Sequence, residues 1–428
     1  MGTSIFRSVR NVALSLIVSV TSLFIWGSLD QHGYFRSFAF AQDSAAVPTP
    51  LLEVGHPVDW WFVFKLNSAS FPGCRNNAER TCVFGGAAQD YHGKYSLQYV
   101  YASSEHPGLQ SGSGCVGNTI KDPLGATFDE VYFNSFYYVV WNDQFYNDPL
   151  PSRPSPWGHS KGMVVWNESG DGFVMQVSTP SWPASGSHSA PRKTDGNTLG
   201  CVTDNDVEVS QHFFALKLNK DDVVKVLEAL HHASVVTDPT NPQIVHNGGP
   251  SDVQAQVNQL GKKVHATSYT KVTLSSGVEL LSKPSDLHVP PWQIVSAALH
   301  ALPLRAATWW ATPKIDTTTA STTITCWQEV LGTPGPVQIA TTGQWDGKTF
   351  SLKGGAQPNA NHAKVGVSTN SSKPYVIFGD LNQQGALTGK KCSSSQNGRG
   401  GMFYLLSNKD LFDGVTHLLQ GETAGAAP

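Results

Sequence analysis

Asn361-His362-Ala363-Lys364-Val365-Gly366-Val367, followed by Tyr375-Val376-Ile377-Phe378-Gly379-Asp380-Leu381-Asn382, is the stretch from which the rest of the chain can be read. Alternate residues of an extended segment share a face, so His362 and Lys364 point the same way. The apolar run after them returns Asp380 and Asn382 to the same neighbourhood. An imidazole, an ammonium and a carboxamide brought together make a set suited to a phosphate. About two hundred residues upstream stands a second version, Gly158-His159-Ser160-Lys161-Gly162, again leading into an apolar run, Met163-Val164-Val165-Trp166. The repetition predicts two halves that together complete one site.

A His-x-Lys triplet alone is weak evidence in a chain with 15 His. His92-Gly93-Lys94 has the same spacing, but it runs into Tyr95, Leu97, Tyr99 and Tyr101 with no Asn-bearing turn behind it. The other two triplets are set apart by the apolar strand after each and by a turn that brings a polar group back.

Around these sets, 428 residues with 40% hydrophobic content provide for a substantial core. Gly 40, Pro 26 and only 14% charged residues predict many turns and short strands, not a disordered chain. Arg7 and Arg10 precede an apolar run from Val12 to Trp26, and Ala39-Phe40-Ala41 is a small-x-small site. Residues 1–41 therefore read as a signal peptide cut after Ala41, with an uncleaved anchor as the alternative. Either places the body of the protein outside the cytoplasm: secreted, or in a periplasmic or lysosomal-type compartment according to the host. Six cysteines in an exported chain favour disulfides. Nearness in sequence pairs Cys74 with Cys82, Cys115 with Cys201 and Cys326 with Cys392.

Residues 42–56 read as a linker, 57–235 as the first half and 236–428 as the second. Val58 to Leu66 is too apolar for a solvated face and is expected as a central strand. Tyr95–Tyr101 and Ser135–Trp141 are further strands, and Met163 to Val177 is a hairpin turning at Gly170-Asp171-Gly172. Asp221–Ala233 has the spacing of an amphipathic helix and Asp252–Leu260 that of a weaker one. Thr267–Leu281, Thr308–Ala311 and Ser321–Leu331 read as strands, Pro290-Pro291-Trp292 as a helix start, and Asp410–Leu419 as a closing helix. Strand runs interleaved with helices argue for an α/β fold, each half a mixed sheet flanked by helices, with one shared active site.

Taken together, Pro57-Val58-Asp59-Trp60, Trp141-Asn142-Asp143-Gln144, the His159 set with its hairpin, Thr198-Leu199-Gly200-Cys201-Val202, and His362 through Asn382 to Arg399-Gly400-Gly401 resemble the deoxyribonuclease II family, within the phospholipase D-like phosphodiesterases. The resemblance covers nearly all of the chain beyond the signal. It implies two phospholipase D-like halves, metal-independent cleavage of DNA at acid pH without a cofactor, and 3′-phosphate products. The chain departs from the family in offering Ser181 where the first hairpin usually returns an Asn, and in its cysteines at Cys74, Cys82 and Cys115.

Phosphodiester cleavage needs a nucleophile, an acid for the departing oxygen and positive charge on the remaining oxygens. His159, Lys161, His362 and Lys364 are the catalytic candidates. Lys161 and Lys364 would hold the phosphate and favour the neutral form of the adjacent His. His159 would attack phosphorus and His362 protonate the leaving oxygen, or the reverse. Asn142, Ser181 and Asn382 are candidate substrate ligands, and Asp380 is expected there too, orienting a histidine.

Net charge is −3, so no global basic field draws DNA at neutral pH; protonating all 15 His would bring it to about +12 as pH falls below ~6.5. Other readings stay open: a phosphodiesterase for another substrate, a silent nucleic-acid-binding protein that keeps the fold, and a metal enzyme. Once the signal is cleaved no stable membrane association is expected. A site made from one chain neither needs nor excludes an oligomer.

Overall fold

The computed structural model describes residues 46–74, 84, 96–117, 119–145, 148–180, 182–193 and 207–428, together with the backbone of 26–29 and 35–38. The chain divides into two units, Met1–Ser44 and Ala45–Pro428. In the first, strands β1 (Trp26–Leu29) and β2 (Phe35–Phe38) pair antiparallel. The remainder of the expected signal peptide, Ser181, Cys82, and the Thr198–Val202 motif with Cys201 lie outside the described residues.

The second unit holds two sheets. The first is built from β3 (Trp60–Lys65), β4 (Tyr99–Ser103), β5 (Gln110–Ser111), β6 (Tyr137–Asn142), β7 (Lys161–Trp166), β8 (Gly172–Val177), β9 (Gln211–Leu218) and β10 (Val245–His246), in the order β10-β6-β7-β8-β9-β3-β4-β5. The second is built from β11 (Thr270–Thr273), β12 (Glu279–Lys283), β13 (Leu304–Ala307), β14 (Val337–Ile339), β17 (Val365–Ser368), β18 (Tyr375–Gly379) and β19 (Gly401–Ser407), in the order β11-β12-β19-β18-β17-β13-β14. Strands β15 (Thr342–Trp345) and β16 (Lys348–Ser351) form a separate hairpin. Five helices accompany them: α1 (Pro123–Tyr132), α2 (Lys220–His232), α3 (Ser251–Val257), α4 (Pro291–Ala298) and α5 (Lys409–Leu418). The fold is α/β. The second sheet is mixed, through the parallel pair β13 with β14, whereas the described pairings of the first are all antiparallel, in contrast to the mixed sheet expected there.

Read from opposite ends, the two orders match strand for strand from β4 to β10 and from β11 to β14, with β9 and β19 as equivalent inner strands. The equivalence extends beyond them. Each inner strand is followed directly by an Asn, Asn219 or Asn408, whose side chain caps the next helix by accepting from Asp222 or Leu411 N–H. The internal Asn-Lys-Asp repeat at 219–221 and 408–410 is a signal of duplication that the reading by histidine sets passes over.

Period-2 alternation decides which residues lie between the sheets. Phe62 and Phe214 meet Phe378 at ring-centroid distances of 4.8 and 4.3 Å, so β3 and β9 of one sheet pack on β18 of the other. Val376, Phe378, Met402 and Tyr404 belong to this shared core, while Ile377, Phe403 and Leu405 point to the opposite face, toward α4. There Gly366 gives room to Trp292: a Cβ at 366 would stand 2.4 Å from its ring.

Several expectations need correction. Thr267–Leu281 is a hairpin of β11 and β12, because Gly277 takes φ +82° and the Leu274 N–H closes on the Val278 carbonyl. Thr308–Ala311 is not a strand; β13 ends just before it, and the Thr308 hydroxyl accepts from Gln383 N–H. Ser321–Leu331 is coil ending in a short 3-10 turn, where Thr319, Ser321 and Thr322 bond one another and compete with sheet pairing. Cys74 is bonded to Cys115, so neither makes the nearest-neighbour pairing expected of it, since a pairing is set by Cα approach and not by sequence distance. Cys326 pairs with Cys392 as expected. The first sheet recruits Val245–His246 as an edge strand beside β6.

Candidate functional site

The two His-x-Lys sets begin equivalent strands, β7 and β17, and each is anchored by the other half. His159 N–H donates to Gly400 O (2.8 Å), at the start of β19, and His362 N–H donates to Ser210 O (2.8 Å), at the start of β9. The exchange continues one step further in. Ser178 N–H donates to His212 O and Asp380 N–H to Met402 O, both at 3.0 Å; in return, His212 N–H reaches Ser178 Oγ (2.8 Å) and Met402 N–H reaches Asp380 Oδ2 (2.9 Å). Ser178 is therefore the register partner of Asp380. Counting two residues on from each pairs Pro180 with Asn382 and leaves Ser181 one place beyond.

His159 and His362 are both buried, 9% and 3% exposed, but their rings are held differently. Nδ1–H of His159 donates to the Asp380 carbonyl (2.9 Å), which leaves the lone pair on Nε2. In His362 it is Nε2 that carries the proton, donated to the Gly355 carbonyl (3.1 Å), while Nδ1 faces the amide of Gln211 (3.4 Å). Trp309 lies against the His362 ring at 4.0 Å. Burial first, and then the neighbouring lysines, hold both imidazoles well below their usual value. Lys364 contributes to the depression of His159 and Lys161 to that of His362, so the four side chains share one electrostatic site.

Lys161, 3% exposed, donates to Asp143 Oδ1 at 2.6 Å. Asp143 Oδ2 accepts from Arg399 at 2.9 Å, and the same guanidinium donates to the carbonyls of Trp157, Arg153 and Gly158. Burial alone would raise the Asp143 pKa, but Lys161 and Arg399 outweigh it and hold the carboxyl well below the usual range. Lys364 is likewise buried, and its N–H donates to His212 Nδ1 (3.1 Å).

Asp380 meets His159 through its backbone carbonyl. Its carboxyl accepts from Gln176 (2.9 Å) and Met402 N–H, and is pushed up to about 7 by burial, against the pull of its bonds from Ser160, Met402 and Gln176. Asn142 is occupied at the end of β6: Nδ2 donates to Pro180 O (2.6 Å) and Oδ1 accepts from Gln144 N–H (2.8 Å). It thereby fixes the turn that leads to Ser181. Asn382 is buried, with Nδ2 on Gln384 Oε1 (3.1 Å) and Oδ1 without a hydrogen-bond partner among the described residues.

The side chains that sequence reasoning missed as site residues are Asp143, Arg399, Gln176, Gln211 and Trp309. Asp143 and Arg399 stand inside motifs already quoted, but their meeting across 256 residues is a product of the fold.

A duplicated α/β fold with one His-Lys set from each half at a common buried centre defines a two-histidine protein with an intramolecular site. The chain belongs to the deoxyribonuclease II family, whose family model, described as Deoxyribonuclease II, matches residues 49–420. It is 31% identical over 156 residues to a deoxyribonuclease-2-alpha of Sus scrofa, covering 35% of this chain and 38% of that protein. Over 372 residues it is 24% identical to cell-death-related nuclease 7 of Caenorhabditis elegans, 84% of this chain and 83% of that one. A Rattus norvegicus deoxyribonuclease-2-alpha is 30% identical over 158 residues, 35% of this chain and 39% of its own.

Proposed function

We propose that this protein is an exported acid endodeoxyribonuclease that hydrolyses DNA to 3′-phosphate ends without a metal, through a phosphohistidine. Family membership and the names of its relatives supply the substrate class. The observation that carries the mechanism is the opposite protonation of the two rings. His159 presents a lone pair at Nε2 and His362 a proton at Nε2.

In the first step His159 Nε2 bonds to phosphorus, the bond from phosphorus to the 5′-oxygen breaks, and that oxygen takes the Nε2 proton of the His362 imidazolium, the one donated to the Gly355 carbonyl in the free enzyme. His362 Nε2, bare after the transfer, removes a proton from water. The resulting hydroxide attacks phosphorus, the P–N bond breaks, and a 3′-phosphate leaves. Lys161 and Lys364 stabilise the added charge on the phosphoryl oxygens, with Asp143 aiming Lys161. Asn382 contributes a buried amide to the phosphate, and Asn142 holds the Pro180 carbonyl. Bound phosphodiester raises the His362 pKa so that low pH supplies the protonated acid, while burial and the charge of Lys161 keep the His159 lone pair free.

The two disulfides among the described residues suit an oxidising, secreted or lysosomal-type compartment. The test is plasmid cleavage in excess chelator at pH about 5 and about 7.5, either side of the imidazole pKa, with His362→Ala alongside. Cleavage confined to acid and lost in the variant is expected. An active His362→Ala protein, or activity that requires a divalent ion, would refute the proposal.

A further inference from the structure

We propose that Lys65 and Lys283 are the positioning residues of the two half-sites, Lys283 setting the segment that holds His159 and Lys65 the segment that holds His362. They occupy the same place in the duplicated fold. Each is the last residue of the strand beside an inner strand; Lys65 is in register with Gln211, the first residue of β9, and Lys283 with Gly401, the first of β19. Both are fully buried.

Among the described residues each ammonium donates to three backbone carbonyls. Lys65 reaches those of Leu66 (3.3 Å), Ser96 (3.1 Å) and Val207 (3.3 Å). Lys283 reaches those of Pro284 (3.2 Å), Asn397 (2.8 Å) and Arg399 (2.9 Å). Burying a cation is costly, and burial pulls Lys283 down to about 7 despite Asp286. Packing alone would be served by Met, so the charge has another use.

That use is the segment each ammonium grips. Residues 207–210 and 397–400 are the run-ins to the inner strands, and their last carbonyls, Ser210 and Gly400, are the ones that accept from His362 and His159. Lys283 also fixes the backbone of Arg399, whose side chain closes on Asp143. The charge of Lys65 is felt at His362. The two lysines thus act on different histidines, each across the boundary between the halves.

This inference rests on the roles given above to His159 and His362, and it predicts separable defects. The experiment compares Lys65→Met and Lys283→Met with the parent on plasmid DNA, whose leaving alkoxide needs a proton, and on bis(4-nitrophenyl) phosphate, whose phenolate leaves unaided. The second is read as the first-turnover burst, before water attacks. Lys283→Met is expected to lose on the order of 10²-fold on both substrates, and Lys65→Met to lose on the order of 10²-fold on DNA while keeping the burst within about a factor of 3. Cooperative melts establish folding. Where a Met variant does not melt cooperatively, Lys65→Gln and Lys283→Gln, which keep a donor, carry the comparison. Equal losses on both substrates in both variants, or no loss in folded protein, overturn the assignment. A parent that cleaves neither substrate removes the nuclease reading, and this assignment with it.

Discussion

Replacing Asp143 with Asn tests whether the site is held together by one carboxylate between two cations. Asp143 is 1% exposed, with Lys161 at 2.6 Å from one oxygen and Arg399 at 2.9 Å from the other. The amide keeps the shape and removes the charge, leaving two buried cations facing each other. Breaking one buried ion pair costs about 3–5 kcal/mol. Arg399 retains three carbonyl partners, so the expected loss for Asp143→Asn is also about 3–5 kcal/mol and not twice that. The pH dependence follows from the depressed pKa. Stability contributed by such a carboxylate is present above the unfolded value of ~3.9 and disappears only as pH falls through the lower, folded value. Urea melts of parent and variant at pH about 5 and about 7.5 should therefore give the same difference. A difference below about 1 kcal/mol, or one that shrinks by half on going to the acid sample, would refute the reasoning.

Asp380 has the opposite sign: its folded pKa of about 7 lies above the unfolded one, so its protonated form favours folding fully below ~4 and that benefit is lost as pH rises through about 7. Melts at pH about 5 and about 8 should show Asp380→Asn gaining on the parent at the higher pH, by up to ~1.4 kcal/mol per pH unit; a gap that does not move with pH would count against a buried neutral acid. Gly400→Ala would set a Cβ 2.0 Å from the Ala233 carbonyl and push the Gly400 carbonyl off His159; a loss of about 10²-fold in DNA cleavage is expected, and an unaltered rate would show that this contact is dispensable. Cys326→Ser opens a link between positions 66 residues apart and should lower stability by about 2–5 kcal/mol in a denaturant melt; a loss below about 1 kcal/mol would show that the link contributes little.

The histidine sets were legible because period 2 is local: His362 and Lys364 share a face whatever surrounds the strand. The same locality made the hairpin at Gly170, α2 and α5 readable. It failed where side chains compete with the backbone, as at Thr319 to Thr322, and where alternation ran through a turn, as at Gly277. Helix α1 carried a signal that went unread, Asp122 as cap before Pro123 at the first turn. The sequence placed Asp380 near a histidine, but no pattern distinguishes a residue that meets it through its backbone carbonyl. Lys65 and Lys283 were hidden for a related reason. A lysine at the end of an apolar run reads as a strand reaching solvent, and only the fold shows the ammonium turned inward onto three carbonyls.

The reciprocal anchoring of the two histidines has a consequence for the birth of the protein. Arg399 lies 241 residues beyond Gly158, whose carbonyl it binds, and Gly400 beside it is what His159 hangs from. A ribosome delivers the first His-Lys set long before it delivers β19. Until then the early set has neither its carbonyl support nor its counter-charged arginine. The surroundings of His159 are thus completed by one of the last strands to emerge, so the first His-Lys set gains its support only in a late event of synthesis.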